Sequence, residues 1–83
     1  MNKFLIFEYI KRLRKEDIVT FSIKQGIKLP SSDLETIYYY LKNEVPRFLN
    51  NPEEILEELK IKLTPNVYQL TIELYEQYKN YLD

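Results

Sequence analysis

The chain has 83 residues, 45% of them hydrophobic, a net charge of −1, and no histidine, cysteine or tryptophan. Lacking histidine and cysteine, it has no side chain that titrates near neutrality unperturbed and no thiolate nucleophile, which removes most acid–base relays, thiol chemistry and nearly all zinc or copper sites. A single glycine, Gly26, cannot supply the several close backbone approaches of a phosphate-cradling loop.

This length makes one domain, residues 1–83, near the size at which a single core is marginal without staples. Eight tyrosines must therefore supply much of the burial. The lack of cysteine fits a reducing compartment, and a cytoplasmic location is expected. The apolar run Phe4-Leu5-Ile6-Phe7, broken by Glu8, is too short for a signal-peptide core or a membrane span. Charge is unevenly spread. Residues 1–28 carry a surplus of four positive charges and residues 29–83 an excess of five negative ones. Two oppositely charged halves can attract one another inside one domain, or the basic end can meet an acidic partner or nucleic acid. A chain without alanine, rich in Lys, Ile, Asn, Glu and Tyr, also suggests an AT-rich bacterial genome.

In chain order, apolar spacing and caps predict helices near 2–13, 16–25, 33–44, 52–62 and 65–82, an all-α, compact bundle of about five short helices. In the first helix Leu5, Ile6, Tyr9, Ile10 and Leu13 form a core stripe. The second is apolar over a wide arc through Ile18, Val19, Phe21 and Ile23, which predicts a central position. Gly26 suits a left-handed residue just past its end, and Ile27-Lys28-Leu29 reads as extended. Ser32-Asp33-Leu34-Glu35 has the spacing of a capping box at the start of the third helix. Its core stripe is Leu34, Ile37, Tyr38, Leu41 and Val45, and Pro46 ends or bends it near Glu44. Asn51-Pro52 and Thr64-Pro65 each place proline at a first helical position. The fourth helix buries Ile55, Leu56, Leu59 and Leu63. The fifth buries Val67, Leu70, Leu74, Tyr78 and Tyr81.

Three constellations invite a chemical reading. Glu53, Glu54, Glu57 and Glu58 could hold a hard metal, but they fall on the polar side of their helix and Lys62 stands four residues beyond Glu58, so a solvated acidic face is expected and no metal site. The segment around Gly26 lacks the alternating acids of a calcium loop. Ser22 and Gly26 have helix-turn-helix spacing, yet the connection is too long and the following helix opens with Asp33 and Glu35, where phosphates would lie.

The remaining signal is aromatic surface outside the core stripes. Phe4, Phe7, Lys11 and Arg14 share a second face of the first helix, Tyr39 lies on the polar side of the third, and Tyr68, Ile72 and Tyr75 widen the apolar arc of the last. These residues form the candidate interaction surface, because tyrosine is enriched where one end of a ring is buried and the other is wet.

Met1-Asn2-Lys3-Phe4, Lys24-Gln25-Gly26-Ile27-Lys28-Leu29 running into a capped helix, and Leu63-Thr64-Pro65 opening the last one together resemble a small domain-of-unknown-function family of Bacillus-type, low-GC Gram-positive bacteria. The resemblance covers nearly the whole chain. It implies a cytoplasmic helical protein with no assigned activity and no catalytic residues to carry over.

The expectation is therefore a non-enzymatic helical protein–protein interaction module, with no catalytic, cofactor or metal site. Its partner is another protein or a second copy, pairing through the last helix as a homodimer. The alternative is RNA or DNA binding by Lys3, Lys11, Arg12, Arg14 and Lys15, with Phe4 or Phe7 stacking on bases.

Overall fold

From the second helix onward, prolines and one glycine mark the breaks between helices, whereas the first break, at Leu13–Arg14, has neither. The computed structural model describes residues 3–79, with the side chains of Lys3, Phe4, Ile6 and Tyr78 excepted. The helices are α1 (Lys3–Arg12), α2 (Lys15–Lys24), α3 (Ser31–Asn43), α4 (Val45–Asn50), α5 (Pro52–Lys62) and α6 (Pro65–Tyr78), with no strand among the described residues. The chain is all-α, with one helix more than expected. Pro46 does end α3, but its fixed φ also suits the first turn of a new helix. The predicted end of the last helix beyond residue 79, with Tyr81, lies outside the described residues, as do Met1 and Asn2.

Gly26 closes α2 in a left-handed conformation at φ +73°. Its N–H donates to the Ile23 carbonyl and that of Ile27 to the Ser22 carbonyl, each at 2.9 Å, which satisfies the last turn. The predicted capping box at Ser32 does not form. Helix α3 begins at Ser31 after an extended Pro30, and no side chain caps it. Asp33, between the two residues of that box, is only 2% exposed and faces the start of α6. The Asp33 carboxylate accepts the Thr64 backbone N–H at 3.1 Å and the Thr64 hydroxyl at 2.6 Å. Thus the preorganised start of one helix anchors the start of another.

Tyr40, Ile55, Leu59, Leu63 and Val67 form the buried core, with Ile27, Leu29, Ile37, Phe48 and Tyr68 packed against it. The stripe predicted for α5 is buried in full. Two expectations fail. Leu5 and Tyr9, read as core, are 59% and 66% exposed, because α1 packs on α3 through its other side. Nor is α2 central: Ile18 and the small Ser22 face inward, while Phe21 and Ile23 are exposed. Tyr40, outside the stripe predicted for α3, is buried at 8% exposure, since α5 covers that side of the helix. The radius of gyration, 12.2 Å, is that of a close-folded chain of this length, about 12 Å.

Candidate functional site

All six helices contribute to one apolar cavity of about 580 Å³. Its walls run from Ile10 and Leu13 past Ile18, Leu41 and Phe48 to Leu70 and Leu74. Well-packed interiors hold few voids larger than a water molecule, so this volume sets the bundle apart. It lies in the 300–1,000 Å³ range of small-molecule sites. At the α1–α2 end it adjoins a more polar recess of about 390 Å³, where Arg12, Asp17, Thr20 and Lys24 stand around Tyr9 and Phe21.

Ser22, Thr71 and Asp17 on the cavity wall already have hydrogen-bond partners. Ser22 Oγ donates to the Val19 carbonyl at 2.8 Å, and Thr71 Oγ1 to the Val67 carbonyl at 3.0 Å. Asp17 Oδ2 accepts the Arg14 backbone N–H at 2.9 Å, which helps to start α2. Among the described residues no buried side-chain nitrogen or oxygen lacks a partner. What faces the void is hydrocarbon.

A second cluster, of charged residues, joins α3, α4 and α5. The Tyr40 hydroxyl donates to Glu58 Oε1 at 2.7 Å and accepts from Lys62 Nζ at 3.0 Å. Arg47 bonds Glu58 and Glu44, the latter at 2.7 Å, with Glu54 at 3.4 Å. The hydrogen bond from Tyr40 and that from Arg47 hold the Glu58 carboxyl below the ordinary carboxylate range. Burial pushes the Tyr40 phenol up. Lys62, expected to pair with Glu58, instead meets Tyr40, with its ammonium 5.1 Å from the ring centroid. These side chains tie α3, α4 and α5 together, and Tyr40 and Glu44 also line the edge of the apolar cavity.

The sequence-predicted surface is divided. On α1, Phe7 is half-buried with Lys11 Nζ 5.0 Å from its ring centroid, whereas Lys11 and Arg14 are exposed. The side chain of Phe4 lies outside the described residues. Tyr39 is 54% exposed, edge-on to Tyr40 at 5.8 Å. On α6, Tyr68, Ile72 and Tyr75 are all half-buried. Tyr68 packs on the core, and Tyr75 meets Phe48 of α4 edge-on at 5.9 Å.

Reading the sequence missed the more exposed apolar surface of α1, Leu5 and Tyr9, four residues apart on one face, with Tyr9 lining a recess shared with Phe21. A signal was present. Apolar residues occur on two sides of α1, and a helix packed against its neighbours on one side can bury only one of them. Comparison with known proteins finds no matching family model, no similar curated protein and no similar solved structure.

Proposed function

We propose that this chain is a non-enzymatic, cytoplasmic interaction module that works through protein–protein contact at the uncovered face of α1. The observation that carries the reading is the exposure of Leu5 and Tyr9, with Phe21 40% exposed beside Tyr9. Contiguous exposed apolar side chains mark interaction sites more often than scattered ones do. The missing histidine and cysteine argue against catalysis, and the carboxylates around Tyr40 and Arg47 serve as links between helices.

Pairing through α6 has less support, because Tyr68 and Tyr75 have partners within their own chain. Nucleic-acid binding has less too. Lys11 pairs with Glu8 at 3.6 Å, Arg14 with Glu16 at 3.7 Å and Lys15 with Glu35 at 2.6 Å, so three of its five proposed phosphate contacts face carboxylates.

Light scattering and cross-linking on the wild type and the Leu5→Glu variant test the proposal. Self-association, or one stoichiometric cross-linked partner, that disappears in a variant of unchanged helicity supports it. A monomer whose cross-linked products are the same with and without the substitution overturns it.

A further inference from the structure

We infer that the cavity is a binding site for a single-chain anionic amphiphile, with the hydrocarbon chain inside the bundle and the head group between Arg12 and Lys24. The inference goes beyond the protein-contact reading and does not rest on it. Three observations carry it.

Size and lining come first. About 580 Å³ of space walled by side chains such as Leu41, Leu70 and Leu74 is far more than a packing defect. A largely apolar pocket of this size, open to solvent beside Tyr9 and Phe21, suits an apolar guest. Second, the wall selects against a polar guest. The hydroxyls of Ser22 and Thr71 are turned to their own helices, so a ligand group needing a hydrogen bond inside would be left unsatisfied. An alkyl chain needs none.

Third, the polar recess supplies the head-group site. Arg12 and Lys24 both line it, and among the described residues neither has an ion-pair partner, unlike Lys11, Arg14 and Lys15. Thr20 adds a hydroxyl. Asp17 is the one acid present, and it is engaged by the Arg14 N–H that it accepts. Two cations against one engaged carboxylate favour an anion, and the recess and cavity share Tyr9, Leu13, Asp17 and Phe21 as common walls. The surplus of positive charge in residues 1–28 thereby gains a role at the entrance of a largely apolar chamber.

Calorimetry and native mass spectrometry with hexadecanoate, hexadecyl phosphate and hexadecyltrimethylammonium, each below its aggregation limit, test the inference. One-to-one binding of an anionic probe at ~100 µM or tighter is expected, the affinity that an ordinary efficiency gives a ligand of about 18 heavy atoms. The better of the two anions identifies the carboxylate or phosphate source. Leu74→Trp, which fills the chamber, should lower affinity at least ~10-fold. Arg12→Glu with Lys24→Glu, at exposed positions in the last turns of α1 and α2, should do the same for the anions in a variant of unchanged helicity. Leu5, outside both walls, gives a variant that binds the probe normally even if protein contact is lost. Absence of one-to-one binding, equal or tighter binding of the cationic probe, or unchanged affinity in the double charge variant overturns the inference. If Leu74→Trp does not fold, Leu41→Phe takes its place, and wild-type affinity in that variant has the same overturning force.

Discussion

Asp33, in the first turn of α3, holds Thr64, the residue that precedes α6, through two hydrogen bonds of 3.1 and 2.6 Å. The carboxylate is 2% exposed, and a buried acceptor that loses its donors retains its desolvation cost. Asp33→Ala should destabilise the protein by about 2–3 kcal/mol and Thr64→Ala by about 1–2 kcal/mol. Urea unfolding of both single variants and the double variant should give a coupling of roughly 1 kcal/mol. Additivity within ~0.3 kcal/mol would show that the pair does not act as a unit.

The same residue shows where sequence reading stops. Ser32-Asp33-Leu34-Glu35 has correct local spacing for a capping box, but local spacing carries no information about Thr64, thirty-one residues away. The box itself fails because α3 starts at Ser31, after Pro30, which leaves Ser32 inside the first turn. Helix starts marked by proline, at Pro52 and Pro65, were legible because a fixed φ and a missing N–H act within one turn. Helix α4 was not, since six residues are too few to show a periodic pattern. The cavity was beyond reach for a related reason: each of its wall residues reads as ordinary core, and only the three-dimensional spacing leaves them apart.

Acid should weaken the α3–α4–α5 junction. Glu58 is held below the ordinary carboxylate range first by the Tyr40 hydroxyl and then by Arg47. A depressed folded-state pKa contributes stability that is present above the unfolded value, about 4.3, and lost as pH falls through the folded value. Unfolding midpoints should therefore fall more steeply below about pH 4 in the wild type than in Glu58→Gln. Tyr40→Phe removes the first cause and should shift the Glu58 titration upward in carbonyl-detected NMR. An unmoved titration would assign the shift to Arg47 alone.

The end of α1 depends on a lysine from α3. Lys42 Nζ donates to the Lys11 carbonyl at 2.6 Å and to the Ile10 carbonyl, which also accepts the Leu13 N–H, at 3.3 Å, at the negative end of the helix dipole. Lys42→Met keeps the stem and removes the donor. It should cost about 0.5–1 kcal/mol and raise hydrogen exchange in α1 while leaving α5 protected. Uniformly faster exchange across all helices would mean that Lys42 supports the whole fold rather than one helix end.

The last prediction separates internal packing from pairing at α6. Phe48 and Tyr75 meet edge-on at 5.9 Å, and Tyr68 packs on the buried core, so each ring has a partner within its own chain. Both tyrosines remain half-buried, which places the cost of truncation toward the lower end of the aromatic range. Tyr75→Ala and Phe48→Ala should each cost about 2–3 kcal/mol, with the double variant less than additive because one contact is removed twice. Tyr68→Glu with Tyr75→Glu introduces two carboxylates against apolar neighbours that offer them no counter-charge in this contact. That variant should show a much lower urea midpoint at the same molecular mass as the wild type. A homodimer through this face behaves differently: its mass would halve while each chain stayed folded. Light scattering and urea titration on one sample read both quantities, and a folded half-mass species would assign Tyr68 and Tyr75 to an interface between copies.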